Sequence, residues 1–336
     1  VLSSFPSSRR TGAAAIITVA MLAGCSGNSI APGNSVAGGA TASAKSSTPS
    51  QIRAVSNGQG VRGSVSQATS HGWMSPEAKT DNNALYWGNY DTNTITIYSA
   101  KGMNGKELGQ ITSGLSNPER LFVDKAGSVY ASNIGNNTIT AYKAGVTTPF
   151  LTISDGVNGP TGLTVDAGGT VYVANVDADT ITEYPNGKTS PKITINASAE
   201  YLATDSKGNL YASESGVVEY PKGKTTGTNL NLAIGSAGAL EVDSKGDLIV
   251  LDSSTNDLDY FKPGKTSPFN TVPVGGFPFG IALSKNNKQI YITNLTGSNF
   301  VVQSLAYPNG KAPKSKLTTN AGGWPISINP NNVLGK

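Results

Sequence analysis

The stretch "VDAGGTVYVAN" (residues 165–175) decides how this chain is read. In eleven residues it sets an Asp, a Gly pair, an alternating apolar run and a terminal Asn. Taken with the preceding "LT" it is a short apolar run, a D-x-x-G turn and a second run rich in β-branched and aromatic side chains. Period-two alternation around such a turn is the pattern of a β-hairpin. Outward from it, the polar turn "VDAD" leads to an alternating strand "TITEY", and "PNGK" leads to a weaker strand "KITI". The unit is four short strands with no helical stripe.

The unit recurs. "LFVDKAGSVYASN" (121–133), "LTVDAGGTVYVAN" (163–175), "LATDSKGNLYASE" (202–214) and "LEVDSKGDLIVLD" (240–252) align without a gap, and "IALSKNNKQIYITN" (281–294) follows with one extra residue. The intervals between the aligned positions Asp124, Asp166, Asp205, Asp243 and Ser284 are 42, 39, 38 and 41 residues. Four antiparallel strands at this period make the blade of a β-propeller. Before the first full unit, "LYWGNYDTNTITIY" (85–98) matches second and third strands only. After the last, "WPISINPNN" (324–332) matches a first strand only. The expected fold is therefore an all-β, six-bladed propeller whose C-terminal strand completes the N-terminal blade and removes both sheet edges.

On these residues, and on "GPTGLTVDAGGTVYVANVDADTITEYPNG" (159–187) above all, the array resembles the NHL-repeat, YncE-like and SMP-30/gluconolactonase-like propellers over roughly residues 84–333. That resemblance implies the fold. It leaves activity open, because these propellers include enzymes and plain binding modules.

The N-terminal region reads differently. Arg9 and Arg10 precede a 12-residue small and apolar run, Gly12 to Ala23, too short for the ~20 residues of a membrane span and suited to a secretory signal. "LAGC" (22–25) resembles the lipobox of bacterial lipoproteins. The resemblance implies a signal peptide over 1–25, diacylation of Cys25, and a membrane anchor in the bacterial cell envelope. Ser26 after it implies an outer-membrane or cell-surface address in a Gram-negative host. Residues 26–80 are mostly Ser, Gly, Ala, Thr and Asn and read as a flexible tether. Its boundary with a propeller over 81–336 is soft, because "HGWMSPEA" (71–78) brings Trp73 and Met74, which are able to pack on the domain.

Charge and composition narrow the function. The chain is +4, but residues 81–336 hold 19 cations against 20 anions, so no nucleic-acid footprint is expected on the domain. Cys25 is the only cysteine, so no disulfides are expected in the domain. His71 is the only histidine and lies outside the repeats, which argues against a Ser-His-Asp triad and a His-rich metal site.

Asp124, Asp166, Asp205 and Asp243 give one carboxylate per blade, but each opens a D-x-x-G turn, where it accepts backbone N–H bonds while Gly takes positive φ. The residues ending the second strands (Asn89, Asn133, Asn175, Glu214, Asp252, Asn294) are expected to cap the following turn or to line one rim. "GKT" at 187–189, 223–225 and 264–266 resembles part of a P-loop, but Thr182, Val218 and Asp259 stand where its first glycine belongs. These are hairpin turns.

The loops leading into the first strands differ between blades and are expected to ring the mouth of the central funnel. They supply the candidate ligand-binding residues Glu119, Arg120, Thr161, Glu200, Tyr201, Phe279 and Trp324. The expected function is a non-catalytic binding or scaffold module with no cofactor, holding a small molecule, glycan or protein at that mouth. Two alternatives stay open. The resemblance to SMP-30-like lactonases implies a metal-dependent hydrolase using Glu119 and Glu200, although the Asn and Asp partners of that metal site are lacking. The exposed blade edges would instead serve a surface interaction protein.

Overall fold

Each D-x-x-G turn joins two antiparallel strands in one register. Val123 faces Val129, Val165 faces Val171, Thr204 faces Leu210 and Val242 faces Leu248. At the turn itself, Asp166 Oδ1 accepts the N–H groups of Gly168 (2.9 Å) and Thr170 (2.8 Å), and Gly169 sits at φ +83°. Asp124, Asp205 and Asp243 repeat both bonds, so the four carboxylates are turn-formers, as the sequence implied. In the fifth unit the Ser284 hydroxyl takes over, accepting from the N–H groups of Lys288 and Gln289 across the one-residue insertion.

The structure is a computed structural model and describes residues 72–79, 84–100, 105–284, 286–296, 299–310, 315–319 and 326–328. Cys25, His71 and Trp324 lie outside these. The described strands form six antiparallel sheets. Blade two runs through Pro118–Val123, Val129–Asn133, Thr138–Tyr142 and Leu151–Ile153. Blade three runs through Pro160–Val165, Val171–Asn175, Thr180–Tyr184 and Ile193–Asn196. Blade four comprises Leu202–Thr204, Leu210–Ser213, Val217–Tyr220 and a two-residue outer strand, Thr228–Asn229. Blade five comprises Ala237–Val242, Leu248–Asp252, Asp257–Phe261 and Asn270–Pro273. Blade six comprises Phe277–Leu283, Gln289–Thr296, Asn299–Ala306 and Ser315–Thr319.

Blade one closes the ring as expected. Its strands Ala84–Asn89, Thr94–Ser99 and Glu107–Ile111 are completed by Ile326–Ile328, with Leu85 opposite Ile328 and Trp87 opposite Ile326. Trp73–Met74 adds a fifth strand on the outer side, Trp73 opposite Gln110, and Ala78 behind it is buried. The soft boundary noted in the sequence thus falls where the chain already packs on blade one.

The core lies between blades. Successive strand residues point to opposite faces, so each blade packs against two neighbours. Phe122 and Tyr130 of blade two meet Leu163, Val165, Val171 and Val173 of blade three, while Leu121, Val123 and Ala131 turn the other way onto Tyr86, Ile95 and Ile97 of blade one. Each buried Val or Leu in these layers stabilises the ring by roughly 1.5–3 kcal/mol. Hydroxyls lock two layers further: Tyr142 donates to Ser113 O and Tyr184 to Asp155 O, both at 2.7 Å, fixing the connections that enter blades two and three.

Candidate functional site

The innermost strands carry the candidate residues, and their irregularities place them. Pro118 pairs with Asn133 and Arg120 with Ser132, leaving Glu119 unpaired between them. Thr161 is skipped in the same way between Pro160 and Gly162, and Phe279 between Pro278 and Gly280. Glu119, Thr161 and Phe279 are therefore the extra residues of β-bulges inside the strands rather than members of free loops. A bulge bends its strand and re-aims the side chain it frees. Glu200 and Tyr201 occupy the matching place before Leu202–Thr204, with the Tyr201 N–H donating to Ser213 Oγ as the Arg120 N–H donates to Ser132 Oγ.

The residues ending the second strands hold this region in place, and here the sequence reading needs correction. Capping of the following turn is seen at Asn89, whose Oδ1 accepts the N–H groups of Asp91 and Thr92. Asn133 and Asn175 instead reach back: their Oδ1 atoms accept the N–H of Ser116 (3.2 Å) and Asn158 (3.0 Å), on the connections entering their own blades. Their Nδ2 groups donate to Thr140 and Thr182 at 3.0 Å. An Asn at a buried strand end, flanked by an incoming loop and a neighbouring Thr, satisfies both with one amide. Asp252 does both with charge: it reaches back to the N–H groups of Gly235 and Ser236, and it caps the following turn through the N–H and hydroxyl of Ser254. Burial opposes its ionisation, but bonds from the Ser254 hydroxyl and the N–H groups of Gly235, Ser254 and Ser236 hold its pKa below the ordinary value. Glu214 is turned to Tyr220, whose hydroxyl donates to Oε1 at 2.7 Å.

At the mouth, the Arg120 guanidinium lies over the Tyr201 ring, its Cζ 4.3 Å from the centroid. Burial raises the Glu119 pKa, Arg120 beside it partly offsets the rise, and Glu200 adds to it. The two glutamates are thus close enough to sense each other, with Glu200 exposed. Arg120 Nε and Thr161 Oγ1 are two of eight buried side-chain atoms among the described residues without a hydrogen-bond partner, and the two that lie on this rim beside the stacked Tyr201. Phe279 stacks at a tilt on Phe300, with centroids 6.3 Å apart, and Phe277 beside it is 65 % exposed. The structure thus gathers Glu119, Arg120, Thr161, Glu200 and Tyr201 on blades two to four and sets Phe279 on blade six. Trp324 lies outside the described residues.

Below it, a pocket of about 30 Å³ is lined by Arg120, Phe122, Tyr201, Leu202, Glu241 and Ile281 among others. That is room for about one water molecule. Glu241, buried on the innermost strand of blade five, was not singled out from the sequence; its place in "LEVD", where the other repeats carry Phe, Thr or Ala, was the available signal. Among the described residues no three His, Cys, Asp or Glu side chains are grouped to hold a metal ion.

No protein-family model matches the chain, and no curated protein matches it. Among solved structures, the chain is similar to one from a nidogen/laminin complex, at 17% identity and TM-score 0.63, over 74% of this chain and 98% of that one. It is also similar to a protein of unknown function from Bacteroides caccae, at 15% identity and TM-score 0.57, over 73% of this chain and 98% of that one. At such identities the likeness speaks for architecture. The class that fold and comparisons define together is the six-bladed β-propeller.

Proposed function

We propose that this chain is a lipid-anchored propeller of a bacterial cell envelope, of the NHL, YncE-like or SMP-30-like kind, that binds a ligand at the channel mouth without transforming it. The observation that carries the reading is the pair of buried, unpartnered polar atoms, Arg120 Nε and Thr161 Oγ1, beside the stacked Arg120 and Tyr201. Buried polar groups are nearly always satisfied, so a donor and a hydroxyl left open on one rim favour a ligand or ordered water that completes them. With about 30 Å³ beneath, such a ligand rests on the rim rather than in that pocket. Guanidinium, carboxyls and aromatic rings together suit a small molecule, a glycan or a protein surface that brings an anionic or hydroxyl group.

Anchoring through Cys25, and an outer-membrane or surface address, belong to the same proposal and rest on "LAGC" and Ser26. The test is calorimetry on the full chain with a panel of sugar acids and acidic oligosaccharides. Binding that Arg120→Ala abolishes is expected. The raised pKa of Glu119 beside Glu200 favours one second reading, a hydrolase using both carboxyls. Metal-dependent lactone hydrolysis, lost in Glu119→Gln, would establish that reading in place of the first.

A further inference from the structure

Blades four and five part on the face opposite the mouth. Between blades three and four, Tyr172 and Glu183 face Leu210, Tyr220 and the turn of Pro221–Lys224, and the space left is about 10 Å³. One blade on, the counterparts Tyr211 and Glu219 face Leu248, Phe261 and the turn of Lys262–Lys265, and the space is about 360 Å³. The first interface is an internal control for the second, since the repeat supplies the same walls.

Three differences open the cleft. Lys222 lies across the closed interface, its Nζ 3.8 Å from Asp166 Oδ2 and its Cδ 3.0 Å from where a Cβ on Gly208 would stand. The matching position in blade five is Pro263. Lys262 beside it turns outward instead, to Asp247 Oδ2 at 2.6 Å and the Phe269 ring at 4.3 Å. Blade three covers its side with a four-residue outer strand bearing buried Ile195, whereas the outer strand of blade four is two residues long, and half-buried Leu230 and Leu232 follow it.

The walls have a definite chemistry. Tyr211, Leu230, Leu232, Leu248 and Phe261 give an apolar floor. Lys207, Lys245 and Lys265 stand exposed on the rim, with no ion pair among the described residues. Of the carboxylates there, Asp205 accepts the N–H groups of Lys207 and Asn209 and the Asn209 amide, and Glu219 and Asp205 lie near enough to Tyr211 to help raise its pKa. Volume and lining fall in the range of small-molecule sites.

We propose that this cleft binds a small organic anion with an apolar body, the body lying on Phe261, Leu232 and Tyr211 and the anionic group meeting Lys207, Lys245 and Lys265. The site is separate from the mouth, lying at the other end of the innermost strands.

The test uses the full chain and 1-anilinonaphthalene-8-sulfonate, an aromatic sulfonate that brightens when bound. Saturable one-to-one binding is expected, weakened at least tenfold by Ser206→Trp, which blocks the cleft from an exposed turn position, and by the pair Lys207→Glu and Lys245→Glu. Lys188→Glu, on an exposed turn of blade three, is expected to leave binding unchanged. The uncharged N-phenyl-1-naphthylamine is expected to bind at least tenfold more weakly. Absence of saturable binding, binding indifferent to Ser206→Trp, or equal loss in Lys188→Glu and the cleft variants would each overturn the proposal. Melting curves of all variants accompany the titrations, and should the charge pair fail to fold, Ser206→Trp decides alone.

Discussion

Arg120 and Tyr201 hold the same place on blades two and four, and they touch across blade three because the residue between them in the series is Gly162. Arg120 lies opposite Ser132 and Gly162 opposite Ala174, and Tyr201 donates its N–H to Ser213, the residue that aligns with them in blade four. The guanidinium and ring meet at 4.3 Å. A cation over an aromatic face in a partly desolvated site contributes about 0.5–2 kcal/mol. A double-mutant cycle of Arg120→Met and Tyr201→Leu, read by denaturant unfolding, is expected to show coupling in that range. Purely additive effects would mean that the stack holds nothing in place.

Gly162 is also the point of closest approach to blade four. A Cβ there would stand 2.8 Å from Glu200 O and 2.9 Å from the Ala174 side chain, contacts that backbone cannot relieve cheaply. Gly162→Ala is expected to destabilise the domain by roughly 1–3 kcal/mol. It should also move Tyr201 off Arg120, which the emission of Tyr and Trp alone would not report but a crystal structure of the variant would.

Glu119 predicts a pH signature. Burial raises its folded-state pKa above the ordinary 4.5, so between 4.5 and the folded value the folded chain binds the extra proton. Stability therefore falls as pH rises through that window, and the full penalty is present above it. Glu119→Gln removes the penalty. The variant should melt higher than the parent at neutral pH and match it below pH 4.5. A difference that persists at low pH would assign the effect to packing.

The turn carboxylates should matter for stability alone. Asp166→Ala leaves the N–H groups of Gly168 and Thr170 without their acceptor and is expected to lose roughly 1–3 kcal/mol, with ligand binding at the mouth unchanged. Tyr184→Phe, which removes only the bond to Asp155 O, should lose about 1 kcal/mol.

Deleting residues 324–336 removes the strand Ile326–Ile328 and exposes the edge at Leu85–Trp87. The whole ring is expected to melt in one transition at a lower temperature, since each blade rests on two neighbours. A parental melting curve would show that closure adds nothing.

Blade number, strand order and ring closure were legible in the sequence because each is periodic: a wrong phase at Val123 or Tyr172 would have shown against the other repeats. The bulges at Glu119, Thr161 and Phe279 were not, since a bulge is a mismatch between two strands and a single strand does not display it. Glu119, Thr161 and Phe279 sit in these bulges of the innermost strands, where the sequence suggests free loops. Asn133 and Asn175 were misassigned because their partners, Ser116 and Asn158, are distant in sequence. The cleft had a signal that went unread. "YPKGK" (220–224) and "FKPGK" (261–265) exchange a Pro and a Lys and lose a hydroxyl, and those changes remove what fills the interface one blade earlier.

The pairing of Leu85 with Ile328 also sets an order of events. Blades two to six are built from strands that follow one another, so each can form from local hairpins as the chain lengthens. Blade one joins strands from nearly opposite ends of the domain, and its loop-closure entropy is met only once the neighbouring blades have drawn those ends together. Until the strand Ile326–Ile328 is in place, Leu85, Tyr86 and Trp87 form an edge with no native partner on that side. The step that turns an open crescent of blades into a ring therefore waits on both ends of the domain.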